Sequence, residues 1–541
     1  MNRRLWSAVS LRRAVQILFL LAFLAGVAWT RPVPGVEPGP LLKSWFFFDP
    51  LILAVTWLAA HAIPAAAMLA LILVALTVVM GRVFCGWICP LGTIHDLAGR
   101  CFDGRRHGPK QHEHWSPGQR IKYYLLIGFL VMAAFGGNWV TVMDPLVLLY
   151  RTTTVALLPG FQWAVEEGAT AAFQADPGVG SWRLTAATEP VYGFFRDHVF
   201  VKPSQAFLGS GLIVVLFLAL IALNAYRRRF WCRYLCPLGA LLGVFSRWSL
   251  LRRKTDQKTC NQCDLCAGGC HGAATAAPGD RWFPSECMSC LNCTSACNRG
   301  ALTFQLVAPW RKEPRRTGVG LSRRAALGTA VGGLAALAFL RATPQSRGQR
   351  FHPKLIRPPG ARPETEFLAR CLGCGLCMKI CPTGALQPCV AEAGLEGLWT
   401  PRIVPSLGYC DYTCNLCGQI CPTEAIEPLP LETKQQTKTG LAAFDTTRCI
   451  PYAYGRDCMV CEEHCPVPDK AIYFQEVEIL DRDGVPLKIK QPHVDPDLCI
   501  GCGVCENVCP YQDHPGIHVY SANETRHPDN QPILPGGDLP Y

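Results

Sequence analysis

Thirty of the 541 residues are cysteine, and most stand in short repeated groups. Cys260, Cys263, Cys266 and Cys270 follow one another with two, two and three residues between them, and Cys287, Cys290, Cys293 and Cys297 repeat the pattern. Such spacing wraps three thiolates around one iron–sulfur cubane and sends the fourth, displaced by a turn, to a neighbouring cluster. The expected ligand sets are therefore Cys260, Cys263, Cys266 and Cys297 for one cluster, and Cys287, Cys290, Cys293 and Cys270 for the other. Structural zinc usually joins two separated ligand pairs, whereas each group here spans eleven residues. Disulfides would need partners brought together from elsewhere, with suitable geometry at each bridge. His271 and Asn298 occupy the positions after the fourth cysteines, where proline is usual. Proline there shapes backbone and does not ligate, so the cluster reading stands.

Four further groups lie downstream: Cys371, Cys374, Cys377 and Cys381; Cys410, Cys414, Cys417 and Cys421; Cys449, Cys458, Cys461 and Cys465; Cys499, Cys502, Cys505 and Cys509. Pro382, Pro422, Pro466 and Pro510 close them. Two ferredoxin folds would hold these four cubanes, making six [4Fe–4S] clusters in all, with fourth-ligand exchange either nested or sequential. A different motif appears upstream. Phe84-Cys85-Gly86-Trp87-Ile88-Cys89-Pro90-Leu91-Gly92 recurs as Trp231-Cys232-Arg233-Tyr234-Leu235-Cys236-Pro237-Leu238-Gly239. Cys85, Cys89, Cys232 and Cys236 are enough ligands for one further metal or cluster site, although Cys-x3-Cys-Pro also suits the mere start of a helix. These groups take 28 of the 30 cysteines; Cys101 and Cys389 read as ordinary thiols.

The elements that must position these motifs are of two kinds. Runs at 14–29, 63–80, 121–137 and 206–226 are apolar and free of acids, near the length that spans hydrocarbon as helix. Arg3, Arg4, Arg12 and Arg13 precede the first, Arg100, Arg105, Arg106 and Lys110 follow the second, and Arg227, Arg228 and Arg229 follow the fourth. The positive-inside rule puts these segments in the cytoplasm and the 138–205 loop outside. A fifth run, 325–340, follows a block with Arg311, Lys312, Arg315, Arg316, Arg323 and Arg324; its crossing would place the rest of the chain outside. Ser322-Arg323-Arg324-Ala325-Ala326-Leu327 is similar to a twin-arginine export signal, the route for domains exported already folded.

The expected fold class is an integral membrane α-helical domain, four helices in two repeats plus a fifth linking helix, joined to α+β ferredoxin-like domains. The segments are 1–250, 251–310 with the two-cluster domain, 311–345 with the linking helix, and 346–541 with four clusters. The repeat has a second mark: Phe48-Asp49-Pro50-Leu51 recurs as Met143-Asp144-Pro145-Leu146. These segments are expected toward the outer face. Asp49 and Asp144 are candidate proton acceptors from a bound quinol, and equally candidate caps of short helices. His95 and His61 read as structural. Net charge is +12, but residues 351–541 carry 15 Lys and Arg against 24 Asp and Glu, a net of −9. No single basic surface follows, which argues against nucleic-acid binding.

Residues 1 to about 305 resemble the NapH family of membrane ferredoxin-type proteins from periplasmic nitrate reductase systems. Those from about 318 resemble the NapG family of exported four-cluster ferredoxins, through Arg357-Pro358-Pro359-Gly360-Ala361 and the Cys449-x8-Cys458 spacing. The chain thus resembles a fusion of the two, and the MauN and MauM families of methylamine-utilisation clusters match about as well. The Cys410-x3-Cys414 spacing departs from the pattern. The resemblance implies nested ligand exchange in 346–541 and residence in a bacterial inner membrane, N-terminus cytoplasmic and C-terminal domain periplasmic. It also implies a quinol dehydrogenase module in membrane lipid, passing electrons from menaquinol or another quinol to a periplasmic c-type cytochrome or reductase. A maturation factor supplying electrons or clusters to a periplasmic enzyme is the alternative.

Overall fold

The computed structural model describes residues 3–32, 41–62, 64–103, 114–175, 178–179, 182–201, 204–275, 282–307, 320–344, 352–480 and 484–530. Arg105, Arg106, Lys110 and the basic residues Arg311, Lys312, Arg315 and Arg316 lie outside them, as does Ile63 at the start of an expected span. The chain divides into two compact units built from interleaved segments: Met1–Val27, Leu41–Thr153 and Gly211–Ala338 in the first, Ala28–Pro40, Thr154–Ser210 and Phe339–Tyr541 in the second.

The first unit is helical around a small sheet. Ala8–Trp29 and Arg323–Leu340 are long and apolar enough to cross a membrane; Pro50–Ala60, Ala66–Met80, Ser210–Ala225 and Pro237–Ser246 are shorter apolar helices. Several turn apolar side chains outward: Leu11, Ile17, Leu18 and Leu21 from the first, Leu212, Val215 and Leu218 from Ser210–Ala222. Apolar character all round a helix suits a surface covered by lipid or protein, which is compatible with a membrane protein. Arg323–Leu340 crosses Ile121–Ala134 where two glycines meet, since a Cβ on Gly333 would come within 2.6 Å of the Gly128 carbonyl. Small residues at such crossings let backbones approach closely.

Both Asp-Pro-Leu segments start helices. Asp49 caps Pro50–Ala60 and Asp144 caps Pro145–Thr152, each with its carboxylate on two backbone N–H groups and proline at the first position. His61 closes the first of these helices in a left-handed conformation. Strands Leu251–Thr255 and Leu302–Leu306 pair antiparallel and frame the two-cluster segment.

The second unit contains three antiparallel two-stranded sheets among the segments after residue 352: Leu386–Pro388 with Pro401–Ile403, Leu441–Phe444 with Ile517–Tyr520, and Ile472–Leu480 with Pro486–Val494. Short helices follow the cysteine loops, as in Leu376–Ile380 and Leu416–Ile420. Its core holds a charged group: Arg357 pairs with Glu364 at 2.6 Å, and Glu364 with Arg526 at 2.8 Å. Of the 138–205 loop expected to stand outside, residues 154–205 belong to this unit and 138–153 to the first. Helices Leu158–Ala175 and Leu184–His198 meet through Phe161, Phe195 and Phe200. The irregular segment 204–208 clasps the region of Cys381: Gln205 Nε2 donates to the Cys381 carbonyl at 2.5 Å, and Gln387 accepts from Leu208 N and donates to the Ala206 carbonyl.

Candidate iron–sulfur sites

The two Cys-x3-Cys-Pro motifs adopt one local geometry. Phe84–Ile88 and Trp231–Leu235 are π-helical turns, closed by Cys89 N–H to Phe84 O and Cys236 N–H to Trp231 O, each at 2.9 Å. Single π turns concentrate at functional sites. Proline then starts the helices Pro90–Asp103 and Pro237–Ser246, and the second sulfur of each motif accepts the N–H of Gly92 at 3.5 Å or Gly239 at 3.2 Å. A helix N-terminus favours thiolate. All four cysteines are buried, and together they line one small pocket, walled also by Arg82, Gly92, Pro145 and Gly239.

Burial pushes the thiols of Cys89, Cys232 and Cys236 up. The surroundings, however, are made for negative charge. Asp96 pairs with both Arg229 at 2.9 Å and Arg12 at 3.5 Å, and Glu286 with both Lys122 and Arg82, the latter at 3.7 Å. Two acids therefore serve four buried cations. Arg12 Nε, Arg82 Nε and Arg229 Nη2 meet no acceptor among the described residues. Thiolates around a cluster fit this excess of donors and charge, and neutral thiols do not.

Pro145, from the second Asp-Pro-Leu segment, lies in the wall of this pocket. Capping by Asp144 allows the helix to begin inside the unit, beside the cysteines. The repeats also bring Asp49 and Asp144 together. Each uses one oxygen on its own helix: Asp49 accepts from Leu51 and Ile52 N–H, Asp144 from Leu146 and Val147 N–H. The two carboxyl groups are both buried and act on one another electrostatically, and the second oxygen of each, Oδ2, meets no hydrogen-bond donor among the described residues.

The two-cluster segment gathers Cys260, Cys263, Cys266 and Cys297 around one open cavity. Cys293 interacts electrostatically with Cys290, Cys270 and Cys287, which makes the second set. Arg253 faces both sets.

In the second unit Cys449, Cys458, Cys461 and Cys509 line one small pocket, and Cys465, Cys499, Cys502 and Cys505 another. Cys377 interacts with Cys374, Cys371 and Cys421, and Cys417 with Cys410, Cys414 and Cys381. Exchange is sequential, first group with second and third with fourth, which corrects the nested pairing. The reason is local. Helices Leu376–Ile380 and Leu416–Ile420 lie side by side, so each closing cysteine meets its immediate neighbour in sequence. Cys410 N–H donates to the Cys502 carbonyl at 2.8 Å and joins the two halves. The irregular group is thus the one at the junction.

Cys101 is exposed, and Cys389 is buried with Leu355 and Ala393 beside Arg357, apart from the four-cysteine sets. Burial lowers His95 to about 4, and its Nδ1 pairs with Asn224 at 2.7 Å. Among the described residues no three His, Cys, Asp or Glu side chains close on a single metal ion. Sequence reasoning missed the buried arginines, Asp96 and Glu286. The repeat carried a signal for two of them, since Arg82 and Arg229 each stand three residues before a motif cysteine.

A 4Fe-4S binding domain model matches residues 62–109 and again 209–256, each covering one Cys-x3-Cys-Pro motif. A 4Fe-4S dicluster domain matches 456–512 and another 4Fe-4S binding domain 367–387. These matches and the cysteine sets define an iron–sulfur protein with ferredoxin-type domains. More particularly, the chain belongs to the ferredoxin-type protein family that includes MauM and NapG, and joins to it a NapH-like part. It is 34% identical to methylamine utilization ferredoxin-type protein MauM of Methylorubrum extorquens, over 37% of this chain and 85% of that protein. It is 34% identical to ferredoxin-type protein NapG of Escherichia coli, over 35% of this chain and 80% of that protein. Against ferredoxin-type protein NapH of Haemophilus influenzae it is 29% identical, over 54% of this chain and 88% of that protein. No solved structure matches the chain.

Proposed function

We propose that the chain is a quinol dehydrogenase module of a bacterial inner membrane, which takes electrons from a quinol and delivers them to a periplasmic cytochrome or reductase. The observation that carries this reading is the convergence of both repeats on one site: four cysteines line a cavity, and Pro145, next to the paired acid Asp144, forms part of its wall. Oxidising a quinol releases two protons and two electrons, so a proton acceptor must stand beside an electron acceptor. Cys85, Cys89, Cys232 and Cys236 would hold one cluster, and the six ferredoxin-type sets one each. When bound, the clusters supply one-electron storage and transfer. Asp49 and Asp144 would take up the protons of the quinol at their second oxygens, Oδ2, which no donor among the described residues occupies. The net of −9 in 351–541 would draw a basic partner and make its association salt-sensitive.

The test is anaerobic electron paramagnetic resonance of the purified chain in lipid, before and after addition of a menaquinol analogue. New reduced-cluster signals are expected. Clusters that respond to dithionite but not to quinol would overturn the dehydrogenase reading and favour a maturation role.

A further inference from the structure

Each repeat carries an arginine that ligation does not require. Arg82 and Arg229 precede Cys85 and Cys232 by the same three residues, and both are fully buried. They cross over. Arg82 lies against Gly239 of the other repeat, where a Cβ would come within 2.8 Å of Nη2, and Arg229 lies against Gly92, 3.6 Å from a Cβ there. The glycine of each Cys-Pro-Leu-Gly thus leaves room for the partner repeat's guanidinium. Arg82 Nη2 is 3.9 Å from Cys85 Sγ, and Arg229 donates to the Cys85 carbonyl at 2.8 Å while also acting on Cys232.

Both arginines reach one further segment. Arg82 Nη1 donates to the Ser285 carbonyl at 3.0 Å, and Arg229 Nη1 meets Met288 Sδ at 3.3 Å. Cys287 stands between these residues. Gly86, beside Cys85, approaches Met288 so closely that a Cβ would lie 2.2 Å from its carbonyl oxygen, and Trp87 Nε1 donates to the Ser289 carbonyl at 2.9 Å. The four-cysteine site and the set of Cys287, Cys290, Cys293 and Cys270 are therefore neighbours, with the arginines between them.

We infer that Arg82 and Arg229 form a cross-repeat clamp that neutralises an anionic cluster at Cys85, Cys89, Cys232 and Cys236, raises its potential, and ties it to the adjoining two-cluster segment. The inference rests on the reading that these cysteines hold a cluster. A fixed cation stabilises the reduced, more negative form, and burial strengthens the effect. Arginine suits the role because it stays charged and its planar fork reaches a carbonyl and a sulfur together.

The test is a redox titration of the full chain in lipid, followed by electron paramagnetic resonance and iron content, with Arg82→Gln, Arg229→Gln and the matching lysine variants. The glutamine variants are expected to keep iron and to shift the oxidised-to-reduced ratio of this cluster at least tenfold toward oxidised at a given potential, 59 mV for one electron. The lysine variants should recover most of that shift. Iron retained with an unchanged potential in the glutamine variants overturns the clamp. Should those variants fail to assemble, Asp96→Asn removes the counter-charge of Arg229 and leaves both arginines; it should shift the ratio the other way, and no shift overturns the clamp. Cys85→Ser with Cys232→Ser separates the two readings, since unchanged iron there would sink the cluster site itself.

Discussion

The Cys-x3-Cys-Pro site of the first unit and the ferredoxin-type loops of the second hold cysteines in opposite ways. In the second, a loop gathers three cysteines and meets the fourth from the adjacent group in sequence, as Cys371, Cys374 and Cys377 meet Cys421. In the first, the Cys-x3-Cys-Pro site takes two cysteines from each of two repeats, and neither repeat is sufficient alone. Their surroundings differ as well. Around the repeat site two acids serve four buried cations, whereas Lys434 is the cation acting on Cys410, Cys414 and Cys417. Ligands that lie close in sequence need little beyond a tight loop. Ligands from distant segments need symmetry to bring them together and fixed charge to hold what they bind.

The sharpest way to break this contrast is to remove one ligand from each repeat. Cys85→Ser with Cys236→Ser should cost about four irons per chain and leave every second-unit signal intact; an unchanged iron count would refute the shared site. Within the second unit, Cys381→Ser should alter the same resonance that Cys417→Ser abolishes. Perturbation of the resonance lost in Cys505→Ser would instead restore nested exchange.

The paired acids come next. Asn caps a helix about as well as Asp, so Asp49→Asn and Asp144→Asn should fold normally while slowing quinol oxidation by about 100-fold, the scale of acid–base catalysis. Undiminished turnover in stopped-flow assays would leave the carboxyls as caps only.

The second unit relies on a charged core, and Glu364 tests it. Burial opposes its ionisation, but Arg357 and Arg526 overcome this and hold the carboxyl at about 2 against an ordinary 4.5. A lowered folded value means that this contribution is complete above about pH 4.5 and is lost as the pH falls toward 2. Glu364→Gln should destabilise the unit by about 3–5 kcal/mol, because a buried cation loses its partner, and should flatten the acid dependence in denaturant titrations. The smallest effect is expected from Gln205→Ala, about 1 kcal/mol for one hydrogen bond, read as a shift in the second unit's denaturation midpoint.

Much of this was legible before any fold was known. The three-cysteine loops announce themselves because ligand geometry is written in local spacing, and the duplicated Cys-x3-Cys-Pro text pointed to a shared site. The fourth-ligand exchange was not legible in the second unit. It depends on which short helices lie together, here Leu376–Ile380 and Leu416–Ile420, and spacing within a group carries no trace of that. Arg12, Asp96 and Glu286 come from three separate segments, and no local pattern unites them.

The clasp between Ala206 and Gln387 joins positions 181 residues apart. At synthesis rates of about 5–20 residues per second, the first waits roughly 10 to 40 seconds for the second to exist. During that interval the segment after Phe200 has nowhere to dock, so completion of the second unit is a late event in the life of the nascent chain.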